Sequence, residues 1–241
     1  MVPLPLPTQS RLAAAGPSLA LLYNLQQMRI AVVIPTLDEA RQLSAVVARV
    51  RAIAEVSEVV VVDGGSSDDS VARAHAAGAR VIQLGRAQRA HQLNLGAAVT
   101  SAEILLFLHA DTLLPRNAGR CVCAAVRNGA HGGAFRRRFI HASHWLRMTC
   151  VLADLRAMVF GVSLGDQVQF ATRAAWDQLG GFDEAARYED LDFSLRLRRL
   201  GRAACCKPCV RSSGRRFAGR PILVTLQDAV RALRWFGWRR A

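Results

Sequence analysis

The sequence predicts a single α/β domain built on a mostly parallel, Rossmann-like central sheet flanked by helices. Four short apolar runs alternate with segments of helical periodicity in the first half of the chain. This alternation is typical of parallel strands joined by right-handed crossovers. The fourth run, Ile104–Leu108, has no polar alternation, which indicates a central strand covered on both faces. A hydrophobic content of 51% with 21% charged residues predicts a packed globular core.

The elements of the first half follow in a regular order. The apolar runs predict strands over 30–34, 59–62, 81–84 and 104–108. Helices are predicted to open at Asp38-Glu39, and to cover about 70–77 and 92–100, each after polar residues suited to a helix start. Because the strands are parallel, their carboxyl ends should share one rim, where ligands of such sheets bind.

After Leu114 the pattern becomes mixed. The motif FRRRF alternates aromatic and basic residues, which is typical of a strand with one wet face. The remaining predictions are a strand over Gly132–Ile140, a helix over Trp145–Phe160, a loop and strand over Gly161–Phe170, a short helix closed by Gly180-Gly181, and an amphipathic helix over Tyr188–Leu200.

Both ends of the chain differ from the central part. Residues 1–27 contain four prolines that break regular elements, and Met28 directly precedes the first strand. We therefore expect residues 1–27 to be a disordered or dispensable extension and residues 28–220 to form the domain. Residues 221–241 are expected to form a basic amphipathic helix that contacts an anionic membrane or packs on the domain.

The formal net charge is +14, and a single lysine accompanies 31 arginines among the 32 basic residues. Arginine favours bidentate contacts with phosphates and carboxylates, so this excess suits nucleotide phosphates, an anionic membrane or nucleic acid. The six cysteines lack the paired spacing of a zinc site. Buried thiols and a reducing compartment are the simpler interpretation, and we expect a cytoplasmic protein, with the inner face of the cytoplasmic membrane as a second location.

Carboxylates stand where three predicted strands end. Asp38 and Glu39 follow the first strand, Asp63 begins the loop after the second, and Asp111 follows the fourth. A fourth group, Glu189-Asp190, opens a later helix. Such acids can cap turns or helix starts, or they can line one cleft at the rim of the sheet.

These motifs, in this order, resemble the glycosyltransferase family 2 enzymes of the GT-A fold. The resemblance covers about Arg29 to Phe217, and a bacterial branch is most similar. It rests on Pro35-Thr36-Leu37-Asp38-Glu39, the DGGSSD run 63–68, RAHQLNLG at 89–96, FLHADT at 107–112, FRRRF at 135–139, GDQ at 165–167, LGGF at 179–182, and Glu189-Asp190.

The resemblance implies an inverting, hexosyltransferase-like enzyme that moves a sugar from a nucleotide-diphosphate sugar to a hydroxyl acceptor, either a lipid or a small molecule, with Mg²⁺ or Mn²⁺. The implied nucleotide contacts are Pro35, Thr36, Asp38, Glu39, Asp63, Asp68, Arg89 and Asn94. The implied phosphate contacts are Arg215 and Arg216, and the sugar or acceptor contacts are Arg136, Asp166 and Gln167. Asp111 is the implied metal ligand, with His109 either a second ligand or a packing residue. Asp190 is the implied general base, beside Glu189.

Two features depart from the family pattern. Asp38 stands where most members have Asn, and His109 replaces the first acid of the usual D-x-D metal motif. The Q-x-x-R-W motif of processive synthases is absent, which favours a single transfer. The alternatives are a nucleotidyltransferase, for which PTLDEA lacks the glycine-rich phosphate loop, and a basic nucleic-acid-binding protein, for which no known reading module is present. No nucleic-acid partner is expected.

Overall fold

A computed structural model describes residues 28–140, 142–217 and 222–226. The strands are β1 (Ile30–Thr36), β2 (Val56–Asp63), β3 (Arg80–Gln83), β4 (Ile104–Phe107), β5 (Thr112–Leu113), β6 (Gly132–Ile140), β7 (Gln169–Thr172) and β8 (Ala203–Ser213). The helices are α1 (Ala40–Arg51), α2 (Ser70–Ala76), α3 (Arg89–Ala98), α4 (Ala118–Arg127), α5 (His144–Phe160), α6 (Arg173–Leu179) and α7 (Glu189–Leu200). Short 3₁₀ turns cover Gly165–Gln167 and Arg215–Phe217.

One eight-stranded sheet carries the domain, in the order β3-β2-β1-β4-β7-β6-β8-β5. The first four strands are parallel, as predicted. β7 is antiparallel to β4, with Phe170 opposite Leu106. The amino end of β7 therefore lies beside the carboxyl end of β4, which brings the turn Gly165–Gln167 to the same rim as the loops after β1, β2 and β4.

The strands differ from the prediction at two informative places. β1 continues through Pro35, which pairs with Val62 of β2. The ladder between β1 and β4 ends at Val33 and Phe107, so the missing N–H of Pro35 falls past the last β4 pair and removes no sheet hydrogen bond. Sequence patterns missed β8, in which Lys207 and Pro208 form a bulge between the pairs Phe135–Cys206 and Arg136–Cys209.

Two apolar layers cover the sheet. On one face, Val32 and Ile34 pack with Leu43, Val47 and other residues of α1 and α4. On the other face, α3, α6 and α7 cover Val33 and Val62. A Cβ on Gly96 of α3 would lie 2.3 Å from the Val33 side chain, so glycine lets this helix approach the strand closely.

Several expectations about the chain ends lie outside the described residues. These are the extension 1–27 and most of the basic helix 221–241, of which residues 222–226 form one helical turn. Within the described ranges, no helix has the length and apolarity to cross a bilayer.

Candidate functional site

The loops after β1 and β2 are joined by hydrogen bonds between acids and hydroxyl or amide groups. Asp38, with a left-handed φ of 52°, accepts bonds at Oδ1 from the N–H of Ser67 at 2.8 Å and from its hydroxyl at 3.1 Å. The N–H of Glu39 donates to the hydroxyl of Ser70 at 2.8 Å. Helix α1 begins only at Ala40 and has no acid in its first turn. The predicted helix start is confirmed at Glu39, which is the N-cap of α1, but neither acid lies in the first helical turn, and Asp38 precedes the helix.

Asp63 holds the second loop from within. Only 2% exposed, it accepts hydrogen bonds from the N–H groups of Gly65 and Ser66, both at 2.9 Å, and from the Ser66 hydroxyl. Asp68 accepts from Ser70 and from the N–H of Ala40, and the hydrogen bond from the Ser70 hydroxyl lowers the pKa of Asp68. Both acids therefore fix the conformation of the loops after β1 and β2, which we call the cradle.

Thr36, Pro35 and Gln92 complete the first part of the rim. Thr36 is 2% exposed, and its hydroxyl faces the Ile34 carbonyl at 3.4 Å. Pro35 is half-buried at the end of β1. Gln92, which sequence reasoning did not select, donates from Nε2 to the Thr36 and Val62 carbonyls at 3.1 and 2.8 Å. Gln92 therefore joins the ends of β1 and β2. The sign of this role that the sequence offered was a glutamine inside the RAHQLNLG motif.

Asp111 lies at the end of β4, opposite Glu39, with Arg215 between them. The guanidinium of Arg215 donates to both Glu39 carboxylate oxygens at 2.9 and 2.8 Å, and it lies 3.6 Å from Asp111 Oδ2. The hydrogen bond to Glu39 raises the pKa of Arg215. The predicted phosphate contact thus reaches the acids of two strand ends. Arg216 stays a prediction, since its side chain lies outside the described groups.

The amino end of α7 brings Glu189 and Asp190 to the rim, where Arg89 meets both. Arg89 donates to the Glu189 carboxylate, and its Nη2 lies 3.9 Å from Asp190 Oδ2. Burial opposes the charge of Arg89, but the carboxylates of Asp190 and Glu189 outweigh it and raise the pKa of Arg89. The Glu189 side chain is 9% exposed and the Asp190 side chain 15%. Glu189 therefore supports Arg89, whereas Asp190 faces the cleft.

Gly165 and His109 border Asp190. The N–H of Gly165 donates to Asp190 Oδ2 at 2.8 Å. A Cβ on Gly165 would lie 3.1 Å from His109 Nε2 and 3.2 Å from Asp190 Oδ2. Burial, with Arg89 nearby, lowers the pKa of His109. The metal contact of His109 stays a prediction.

The predicted sugar or acceptor contact at Arg136 stays a prediction, and the structure places its neighbour Arg137 at Asp166. Arg137, not Arg136, pairs with Asp166, whereas Arg136 donates to the Met158 thioether at 3.2 Å. Successive residues of a strand point to opposite faces. Arg137 therefore shares a face with Phe135 and Phe139, and its side chain is only 7% exposed. The alternation in FRRRF was the sequence feature that could have indicated this.

Gln167 and Asn94 have structural contacts. Gln167 is completely buried, and its Oε1 accepts from Arg156 at 2.9 Å and from the N–H of Leu164 at 3.3 Å. The prediction that Gln167 lines a pocket is therefore wrong, because no part of it is exposed. Asn94 donates to the Phe182 carbonyl and accepts from the Phe182 N–H, both at 2.9 Å. It anchors the LGGF loop, and its contact with a nucleotide stays a prediction.

The donor set at Asp111 fits a divalent ion that arrives with a substrate. The described part of the chain contains no group of three or more His, Cys, Asp or Glu side chains placed to hold a metal. Mg²⁺ in nucleotide sites needs only one or two carboxylates, since phosphate and water oxygens supply the rest. The Asp111 side chain is 22% exposed, so its carboxylate is available for such a shared site.

The fold and this rim together define a GT-A-type α/β protein. Two solved structures share the fold. A mannosyltransferase, PcManGT, from Pyrobaculum calidifontis, in complex with GDP-Man and Mn²⁺, has a TM-score of 0.64 at 18% identity, over 84% of this chain and 67% of that one. The glucosyl-3-phosphoglycerate synthase of Mycobacterium tuberculosis, in complex with Mg²⁺ and UDP, has a TM-score of 0.56 at 21% identity, over 87% and 75%.

The chain belongs to glycosyl transferase family 2, whose sequence profile matches residues 31–176. The glucosyl-3-phosphoglycerate synthase of M. tuberculosis is also similar in sequence, at 32% identity over 96 residues. That match covers 36% of this chain and 30% of the relative's length. Family membership confirms the predicted family and GT-A fold, and it decides against the nucleotidyltransferase and the nucleic-acid-binding protein.

Proposed function

We propose that this protein is an inverting glycosyltransferase that moves one sugar from a nucleotide-diphosphate sugar to a hydroxyl acceptor. The observation that carries the proposal is the meeting of the β1, β2 and β4 loops with the amino end of α7 at one rim. Asp111 and Glu39 lie on one side of this rim, with Asp190 beside the β4 loop. Family membership supports the same reaction.

The loops after β1 and β2 would hold the nucleoside. Their conformation is fixed by Asp38, Asp63 and Asp68 through hydrogen bonds, so little ordering is left to the ligand. Carboxylate and backbone oxygens can accept hydrogen bonds from a base N–H or from ribose hydroxyls. The oxygens that these two loops present would therefore decide which base is bound.

Asp111 would hold Mg²⁺ or Mn²⁺ together with the donor diphosphate. When bound, such an ion stabilises the charge that develops on the departing nucleoside diphosphate. Arg215 would contribute at the same place, because it already joins Glu39 and Asp111 and its guanidinium matches phosphate geometry. Glu39 and the diphosphate would then compete for this arginine.

Asp190 would accept the proton of the acceptor hydroxyl. The Gly165 N–H and Arg89 fix its carboxylate at the rim, and the second lone pair of each oxygen remains available. A single displacement needs such a base as the hydroxyl oxygen attacks the anomeric carbon. Glu189, largely buried in its ion pair with Arg89, would hold Arg89 in place.

Donor binding tests this proposal directly. Thermal unfolding of the full chain is measured with UDP-, GDP- and dTDP-sugars, with and without Mn²⁺. We expect one donor class to raise the Tm only with metal, since ligand at a hundredfold its Kd stabilises by about 2.7 kcal/mol. Asp111→Asn should lose this shift, and Asp177→Asn, at an exposed position of α6, should keep it. No stabilisation by any donor would contradict the proposal.

The location and the acceptor also belong to the proposal. We place the protein in the cytoplasm, with residues 221–241 in contact with the anionic inner face of the membrane, because this segment alternates arginines with tryptophan and leucine. A lipid or a small molecule would supply the hydroxyl. Product analysis with lipid extracts and with water-soluble extracts distinguishes the two acceptor classes.

A further inference from the structure

Helix α5 carries its apolar residues on the outside. Every exposed residue between 148 and 160 is apolar, whereas Asp154 is buried and Arg156 half-buried. We call this surface the α5 apolar face. Its seven side chains are 47–63% exposed: Met148, Val151, Leu152, Leu155, Met158, Val159 and Phe160. A surface helix normally shows the opposite pattern, and an apolar patch of this extent marks an interaction surface.

The polar side of α5 faces the protein. Asp154 accepts from Arg138 at 2.7 Å, and Arg156 donates to Gln167 and to the Val162 carbonyl. These contacts fix the rotation of the helix. The apolar side chains therefore face outward because of specific inward bonds, and not because the helix lacks a defined orientation.

Arginines border the α5 apolar face at both ends. Near its start, a cavity of about 370 Å³ is lined by Arg138 and Arg147 together with Val151. Near its end, a cavity of about 360 Å³ is lined by Arg198 and Arg202 together with Met158 and Val159. Arginine binds phosphate groups well, so each end combines a phosphate-binding side chain with apolar surface.

A further apolar group, outside the α5 apolar face, lies on the helical turn 222–226. Ile222, Leu223 and Leu226 are 46–52% exposed. Thr225 of this turn accepts a hydrogen bond from the Trp145 indole, at the start of α5, at 3.2 Å. The turn therefore adds apolar surface next to the α5 apolar face.

We propose that the α5 apolar face docks on the surface of an anionic lipid bilayer, with α5 lying in the plane of the interface. Seventeen residues make a helix about 25 Å long, and its apolar side chains would enter the acyl boundary while the arginine pairs bind lipid phosphates. Asp154, the one acid of α5, is buried and paired, so the face presents no charge that anionic lipid would repel.

Charge favours lipid over a second copy of the chain. A two-fold dimer through this face would place the arginine pairs of one copy against like charges of the other, whereas anionic headgroups neutralise them. The opposite side of α5 bonds to Gln167 of the turn that carries Asp166. Docking would therefore bring the side of the site that we assign to the acceptor close to the lipid surface.

Flotation of the full chain with vesicles tests the proposal without donor or turnover, so its outcome is separate from the transferase activity. We expect binding to vesicles of two-thirds phosphatidylcholine and one-third phosphatidylglycerol at 0.15 M salt, and much weaker binding to phosphatidylcholine alone. Leu152→Gln/Leu155→Gln should lower the partition coefficient about tenfold or more. Both residues are more than half exposed, and an unchanged Tm would confirm that the variant is folded.

Matched variants separate the contributions. Leu37→Gln removes an exposed leucine outside the α5 apolar face and should leave binding unchanged. Arg147→Gln/Arg198→Gln should weaken binding to anionic vesicles about fivefold per arginine, while Arg120→Gln, at an exposed position of α4, should weaken it less. Wild-type protein that stays off anionic vesicles, or binding that the α5 variants leave unchanged, would overturn the proposal. A dimer in sedimentation experiments that Leu152→Gln/Leu155→Gln dissociates would instead make a second copy the occupant.

Discussion

The first half of the domain, residues 28–107, and the second half, residues 108–217, meet at the same rim but hold their side chains there differently. In the first half, the loops after the parallel strands β1 and β2 are fixed by hydrogen bonds between their acids and serines and backbone N–H groups. In the second half, ion pairs with at least one buried member hold the side chains: Arg137 pairs with Asp166, and Glu189 pairs with Arg89, which comes from the first half.

This difference predicts how each half responds to substitution. A loop held by several short hydrogen bonds loses about 1 kcal/mol when one is removed. A buried ion pair that loses one member leaves an unpaired charge, which costs several times more. The second half should therefore be more sensitive to single substitutions, both in stability and in the position of Asp190.

The largest expected effect is on turnover, at Asp190. Asp190→Asn keeps the shape of the side chain and removes the proton acceptor, so kcat should fall about a thousandfold while the donor-dependent rise in Tm persists. Steady-state kinetics and thermal unfolding on the same samples measure both. Glu189→Gln is the matched variant, and it should mainly lower stability, because Glu189 holds Arg89. Equal losses of kcat in both variants would mean that the two acids act together and that Asp190 alone is not the base.

The next effect is on stability, at two adjacent arginines of β6. Arg137→Met removes the partner of Asp166 and should lower the free energy of unfolding by about 2–4 kcal/mol, a range reduced because the Asp166 side chain is 28% exposed. Arg136→Met should change it by less than about 0.5 kcal/mol, because Arg136 contacts a thioether. Urea unfolding measures both. Equal costs would remove the distinction between the two faces of β6.

Sequence patterns anticipated the first half of the domain well, because local signals determine it. Continuous apolar runs, helix periodicity and polar strand ends are all short-range, and parallel pairing then fixes which loops meet. β1 is longer than predicted because its neighbour β4 pairs with it only as far as Val33. Pro35 can therefore continue β1 without breaking a hydrogen bond to β4.

The second half depends on long-range pairing, which the sequence does not reveal. β8 pairs with β6 about 70 residues earlier, and the bulge at Lys207 and Pro208 interrupts the strand pattern of its CCKPC run. Gln167 looked like a pocket residue because polarity normally indicates exposure. Its burial depends on Arg156, whose position only the fold determines.

A smaller effect is expected at Gln92, which joins two strands of the first half. Gln92→Ala removes one donor from each of the carbonyls of Thr36 and Val62, of which Thr36 keeps the N–H of Gly64, and it should lower the free energy of unfolding by about 1–3 kcal/mol. Gln178→Ala, at an exposed position of α6, should be nearly neutral. Donor affinity should fall with Gln92→Ala, because the cradle loosens. A stability loss without any change in donor affinity would show that the loops hold their shape independently of the strand ends.

The smallest effect compares two thiols within the second half, Cys206 in β8 and Cys123 in α4. Burial raises the pKa of Cys206 in β8 to about 12, and it also raises the pKa of Cys123 in α4, which bonds to the Met28 carbonyl. Because the folded pKa of Cys206 lies above that of the unfolded thiol, its contribution to stability is complete below about pH 8.5 and is lost as pH rises toward 12. The unfolding free energy should therefore fall by about 1 kcal/mol between pH 8 and 9.5, and it should fall less in Cys206→Ala.

At pH 8.5, iodoacetamide should modify both thiols only as fast as the domain unfolds, as followed by mass spectrometry. Faster modification of Cys206 than of Cys123 would mean that β8 opens separately from α4, and that the second half does not unfold as one cooperative unit.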